Sequence, residues 1–359
     1  MTTAMSVGLG SAIARRARCN AMSFGGFCVG GVSVRVTGDD SAATALTPPL
    51  EAFRVGPGLF DIEIQVERVA ALPPMSGCQL FDSGSIWRLY EDGAAFQFDF
   101  CSKNFGNWRP YKRLLVDRLF REATLQMNEE CFADARYAVD PLEYPLDELL
   151  IMHRLTQENA IELHGSGIVR PNGVGNLFVG HSGAGKSTTT RLWTSREEVE
   201  VLSDDRIIVR RDEGSTRAVV ETPFEATGST GEHGVLRLRD SSASRATHSA
   251  QDDRTEVTRG GMRMYGTPWH GEAMFASPNS APLTRIFVLE HGHGNVVTRL
   301  TKSQAVAELF ARSFVPFHRY EYVESALEFL QELAESVPCY RYSFEPDQGA
   351  VEKILQFRD

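Results

Sequence analysis

Short runs of alternating apolar and polar residues dominate the first third of the chain. At 61–67, Ile62, Ile64 and Val66 alternate with Asp61, Glu63, Gln65 and Glu67, the period of two that a strand with one buried face requires. Segments 85–90 and 95–100 make a second pair around Asp92-Gly93, a dipeptide suited to a hairpin turn. The pattern predicts a β-rich region over 50–105. Apolar positions at 111–120 fit a helix or a strand, and the pattern does not choose between them. Pro145 opens a predicted helix to about 158, with Asp147 and Glu148 in the first turn, where unpaired N–H groups favour negative charge.

From 161 the periodicity changes to that of an α/β unit. Strands are predicted at 161–164, continuing over 168–170, and at 176–179, 199–202, 207–210 and 283–290. Helices are predicted from 187 to 193, 301 to 314 and 323 to 335. The alternation at 339–344 predicts a closing edge strand. Residues 226–261 are rich in Gly, Ser, Thr, Arg and Asp and predict an exposed, flexible insertion. Residues 1–45, which begin with a basic, acid-free stretch, are read as a disordered or over-extended N-terminus. The expected domains are therefore 46–145, a smaller β-rich α+β domain, and 146–359, an α/β domain.

Composition narrows the function classes. The 359 residues are 42% hydrophobic, enough to build a core without metal or disulfide staples. A formal charge of -10 argues against a broad nucleic-acid or anionic-lipid footprint. No apolar run approaches the ~20 residues that span a bilayer. The cysteines Cys19, Cys28, Cys78, Cys101, Cys131 and Cys339 lack C-x-x-C spacing and read as reduced thiols, so a cytoplasmic protein is expected.

One motif carries strong chemistry. Gly180-His181-Ser182-Gly183-Ala184-Gly185-Lys186-Ser187 matches G-x-x-x-x-G-K-[ST], with an apolar strand before it and a helix from Ser187 through Thr188 after it; Thr188 joins the motif residues as a candidate nucleotide contact. The glycines let successive backbone N–H groups turn inward as an anion cradle, and the helix adds its positive end. Lys186 suits the β and γ phosphates, and the Ser187 hydroxyl suits Mg²⁺. ATP with Mg²⁺ is the expected cofactor. His164 precedes this loop on a strand. Asp204 and Asp205 follow it closely, where a strand ends; an acid there can hold the metal or take a proton from an attacking hydroxyl.

The stretch from His164-Gly165 through 177–187 to Leu202-Ser203-Asp204-Asp205 resembles the HPr serine kinase/phosphorylase family, whose catalytic domain is related to phosphoenolpyruvate carboxykinase. The segments 265–272 and 281–290 are similar to HPr-kinase-like proteins associated with peptide-modification gene clusters. The resemblance implies a PEP-carboxykinase-like P-loop domain, a mixed sheet with flanking helices. It further implies transfer of a phosphoryl group to a serine of a protein or peptide. His164 and Lys186 would be catalytic, Asp205 would be the base, and Asp204 would take a metal or supporting role. The family's downstream glutamate signature is missing; Glu272 is the nearest candidate for that metal ligand. The N-terminal domain does not match the sugar-regulating enzymes. The HPr enzymes form rings, so the resemblance leaves an oligomer open. A regulatory nucleotide-binding module and a carboxykinase-like enzyme acting on a small acid are the competing readings.

Two weaker features are read as bland. His291-Gly292-His293 predicts a solvated turn. Lys103, Arg109, Lys112, Arg113, Arg118 and Arg121, around Phe105, Trp108 and Tyr111, predict a solvated helix face.

Overall fold

The computed structural model describes residues 23–93, 95–105, 109–132, 140–212 and 261–358. It is a mixed α/β protein with two large sheets and several helices. The insertion expected at 226–261 lies outside the described residues except for Gly261. Cys19 and Trp108 lie outside them too.

The first sheet contains β1 (Ser23–Val29), β2 (Val32–Gly38), β3 (Ile62–Val69), β4 (Cys78–Asp82), β5 (Trp87–Asp92), β6 (Ala95–Ser102), β7 (Arg109–Asp117) and β8 (Glu122–Asn128). Its order is β1-β2-β3-β8-β7-β6-β5-β4. Pairings β2–β3 and β3–β8 are parallel and the rest antiparallel. Alternation explains β3: Ile62, Ile64 and Val66 are buried while Glu63 and Gln65 are exposed. The β5–β6 hairpin turns at Gly93, whose φ is 58°. Short helices α1 (Pro48–Glu51) and α2 (Glu129–Phe132) flank the sheet.

Two expectations give way here, and one open choice is settled. Residues 23–38 are not disordered; Val32, Val34 and Val36 are fully buried and β1–β2 is an antiparallel hairpin. Of residues 111–120, those up to Asp117 are strand, in β7. The basic stretch is no solvated helix face, because Lys112 is fully buried and Arg113 is 4% exposed. Arg113 pairs with Asp99 in two bonds of 2.6 and 3.0 Å. Lys112 donates to the Pro141 carbonyl at 3.0 Å. Charges on β7 face inward because buried acceptors meet them there.

The second half contains α3 (Leu146–Leu155), β9 (Ala160–Val169), β10 (Gly175–Val179), α4 (Lys186–Arg196), β11 (Glu200–Ser203), β12 (Arg206–Arg211), β13 (Met262–Tyr265), β14 (Ser280–His291), β15 (Val296–Arg299), α5 (Lys302–Phe310), β16 (Ser313–Phe314), α6 (Tyr320–Ser336), β17 (Cys339–Phe344) and α7 (Gln348–Gln356). β9 and β14 are long and take part in both halves of a nine-stranded sheet, order β10-β9-β12-β13-β14-β17-β15, with β10 also pairing β14. The expected helix at 301–314 stops at Phe310. Its start is a capping box between Thr301 and Gln304, and after it Ser313 and Phe314 pair with β9. The strand at 339–344 is not an edge: it lies between β14 and β15.

Strands β10, β14 and β17 are parallel and locked by a cross-strand aromatic row. Phe178 stacks on Phe287 at 5.2 Å, and Phe287 on Tyr340 at 5.5 Å. Each such pair is worth ~0.5–1.5 kcal/mol beyond burial. The row fixes the register of three strands whose carboxyl ends are Val179, His291 and Phe344. The helix α6 buries Ala326, Phe329, Leu330 and Leu333 at helical spacing against this half, while Tyr322 meets His153 and His318.

The domain boundary expected at 145/146 does not follow the core. The α3 residues Leu146, Leu149, Leu150, Ile151 and Leu155 belong to the same apolar cluster as the first sheet, and so do Ile208 and Trp269.

Candidate functional site

The glycine loop leaves β10 and enters α4, as the motif requires. Gly183 has φ 80° and Gly185 φ 98°, both left-handed. A Cβ on Gly185 would lie 2.5 Å from the Phe344 ring, so this position needs glycine for space as well as for φ. His181, Ser182 and Gly183 are exposed, and nothing lies within 4 Å of where a Gly183 Cβ would stand. The loop is closed on itself by Ala184 N–H to His181 O at 3.0 Å. Ser187 and Thr188 are half-buried in the first turn of α4.

Lys186 lies on the inner side of the loop, 7% exposed, and donates to the Gly180 and His181 carbonyls at 3.0 and 3.2 Å. Burial pushes its pKa down to about 8, against the opposing charge of Asp205. A buried ammonium held by two loop carbonyls, at the start of a helix and with open space over Gly183, is the charge a polyphosphate would meet.

His164 is mid-strand in β9, at the point where this strand changes partners. Residues 160–164 pair with β12 on one edge, and 165–169 pair with β10 on the other. Gly180 N–H donates to the His164 carbonyl at 3.2 Å, and Gly165 N–H donates to the Asp205 carbonyl at 3.0 Å. One dipeptide of β9 therefore holds both the first residue of the glycine loop and the acidic turn. The side chains meet as well: His164 Nε2 donates to Asp205 Oδ1 at 3.0 Å. Burial pushes the Asp205 carboxyl up. The bond from His164 and the charge of Arg206 more than reverse this, and it ends below its ordinary range.

Asp204 does different work. It is 1% exposed and accepts three backbone N–H bonds: Gly271 at 3.0 Å and Phe275 at 3.2 Å on Oδ1, and Ala273 at 2.8 Å on Oδ2. Its oxygens hold the 271–275 turn, the supporting one of the two roles expected for it. Glu272 is exposed on that turn. Among the described residues, no group of three or more His, Cys, Asp or Glu side chains is arranged to hold a metal. A magnesium ion carried by a triphosphate takes most ligands from phosphate and water. Ser187, in the first turn of α4, carries the hydroxyl expected to meet it.

Several residues here carry no motif and escaped sequence reasoning. Arg206 stands opposite His164 in the β9–β12 register. It contacts Asp205 Oδ2, donates to Glu148 at 2.8 Å, and lies 3.4 Å from the fully buried Glu162. Its guanidinium covers the Phe314 ring at 4.1 Å. Glu148 and its neighbour Asp147, which accepts from Trp269 Nε1 at 2.9 Å, bring α3 to the site. His291 also departs from expectation. Its Nε2 donates to the Gly183 carbonyl at 2.7 Å and its ring stacks on Phe344, so it braces the glycine loop. Its partner in the sequence, His293, is fully exposed and meets Glu345, as a solvated turn would. The signal for His291 was positional: it ends a strand parallel to β10, where ligand-binding loops gather.

No protein-family model matches the chain. A search of curated proteins gives no match either. No described helix is long and apolar enough to cross a membrane.

Proposed function

We propose that the chain is an ATP-dependent serine kinase of the HPr-kinase-like type, with a PEP-carboxykinase-like P-loop domain, acting on a protein or peptide in the cytoplasm. The observation that carries this reading is the His164–Asp205 pair, hydrogen-bonded to each other and tied through the His164 carbonyl to the first residue of the glycine loop. A module that only bound nucleotide would have no use for a histidine-braced carboxylate beside Lys186.

Bound ATP supplies the transferable phosphoryl group. The loop amides and Lys186 hold its phosphates and neutralise charge there. Asp205 accepts a hydrogen bond from the incoming hydroxyl and orients it. Its low basicity suits a loose transition state, in which the proton leaves late and positioning counts most. His164 fixes Asp205 Oδ1 and keeps that carboxylate from turning away. Ser187 is the group that would meet Mg²⁺.

Incubation with labelled ATP, Mg²⁺ and the peptides encoded by neighbouring genes tests this, scored by an added phosphate mass on a serine. Binding of ATP without any transfer across those peptides and casein-type acceptors would favour the regulatory module.

A further inference from the structure

A cation beside the glycine loop has no part in the motif. Arg312 follows α5 and precedes β16. The β16 register sets Ser313 opposite Leu163 and Phe314 opposite Glu162. One step further, Arg312 stands opposite His164, and the His164 N–H donates to its carbonyl at 2.7 Å. The carbonyl of that same His164 takes the Gly180 N–H. The N–H and C=O of one strand residue point to the same edge. Arg312 and Gly180 are therefore neighbours along one edge of β9, either side of His164.

Its side chain is 8% exposed. Nη1 donates to the Glu308 carbonyl at 2.7 Å and to its carboxylate at 2.6 Å. Glu308 also takes Arg341 at 2.8 Å, so two guanidinium groups share one carboxylate. Arg312 Nε is buried without a hydrogen-bond partner. A buried donor of this kind is costly unless something accepts from it. The Arg312 charge is also the main cause that holds the His181 imidazole below its ordinary range, which sets the guanidinium close to the loop.

We propose that Arg312 is a phosphate-binding residue of this site, a second cation beside Lys186 that contacts the terminal phosphoryl group of a nucleoside triphosphate. The inference rests on the nucleotide reading above. Lys186 approaches the loop from α4, through the Gly180 and His181 carbonyls; Arg312 flanks Gly180 along the β9 edge, and its charge is felt at both His181 and Lys186. Two cations converging from different elements suit a terminal phosphate, which carries more charge and spreads it over three oxygens. A diphosphate would engage the loop and Lys186 without Arg312.

Calorimetric titration of the whole chain with ATP and with ADP, each with magnesium chloride, tests this. Arg312→Gln is expected to weaken ATP binding by about tenfold or more, the loss of one charge-assisted contact, with ADP affinity within about twofold. Equal losses for both nucleotides, or no loss for either, overturn the assignment, because a merely structural arginine cannot tell a third phosphate from two. If Arg312→Gln does not fold, Arg312→Lys carries the same comparison, since it keeps the stem and the charge but not the fork; an ATP-selective loss supports the proposal and an unselective one overturns it. Failure of the unsubstituted chain to bind either nucleotide is a separate result, which removes the nucleotide reading itself.

Discussion

His164 Nε2 lies 3.0 Å from Asp205 Oδ1, across the junction between β9 and the start of β12. The contact joins residues 41 apart in sequence and orients a carboxylate that is partly exposed and whose charge Lys186 feels.

Asp205→Asn is therefore expected to keep ATP affinity and lose phosphoryl transfer, by roughly 10²–10⁴-fold if the carboxylate directs the acceptor hydroxyl. Calorimetry and a transfer assay on one preparation check both parts. Transfer at the unsubstituted rate would move the role elsewhere.

Lys186 sets a pH dependence. With its pKa pushed down to about 8 in the free protein, it loses charge as pH rises through that value. ATP affinity is expected to be level below about pH 7 and to fall above pH 8, and Lys186→Ala should reduce it to background. Stability moves the other way: between about 8 and the ordinary lysine value the unfolded chain binds more protons, so this residue favours folding as pH rises. Titrations and melts over pH 7 to 10 separate the two.

Asp204 is expected to report on stability first. Asp204→Asn keeps one acceptor oxygen but turns an amide toward the Ala273 N–H, at a cost of about 1–3 kcal/mol. A denaturant melt measures this. A metal ligand would instead show a loss that excess Mg²⁺ restores.

Gly185→Ala combines a left-handed φ with a Cβ 2.5 Å from Phe344. The expected cost is about 2–4 kcal/mol, from strain and overpacking together. Thermal unfolding shows it, with a weakened nucleotide site. An unchanged melt would mean that the loop has another conformation in solution.

The aromatic cluster between the halves predicts acid sensitivity. His153 is fully enclosed, stacks on Phe120 at 4.8 Å and sits 5.2 Å from His318. Burial lowers His153 to about 3 and His318 to about 4, and each also feels a neighbouring positive charge. Both are neutral when folded and take protons when unfolded, so stability holds above about pH 6.5 and is lost as pH falls toward 4, on the order of a few kcal/mol per imidazole. Asp147, raised to about 6 by burial, opposes part of this loss. Melts from pH 7 to 4 check the sign, and His153→Phe should flatten the curve.

Much of this architecture was legible from local pattern. Alternation marked β3, the turn-flanked pair marked β5 and β6, an apolar run marked β14, and the glycine loop declared itself because all its parts are contiguous. The same alternation runs through Val32, Val34 and Val36, inside a stretch whose basic, acid-free start reads as disorder. What stayed hidden depends on pairing between distant segments. Arg206 and Arg312 gain their meaning only because β12 and β16 flank β9, and no spacing along the chain announces that. Lys112 and Arg113 looked solvated because composition cannot show Asp99 and the Pro141 carbonyl waiting inside. The strand at 339–344 looked terminal because nothing local reveals that β15 folds back beside it.

Glu148 and Asp147 adjoin on a single turn of α3, and they answer to Arg206 and Trp269 across the molecule. A fragment begun after that helix would keep the whole glycine loop, yet its Arg206 would lose one of three facing carboxylates and its Trp269 indole would lose its acceptor. Truncation for expression or crystallisation should spare this turn, because the leading half is wired into the arginine that grips Asp205.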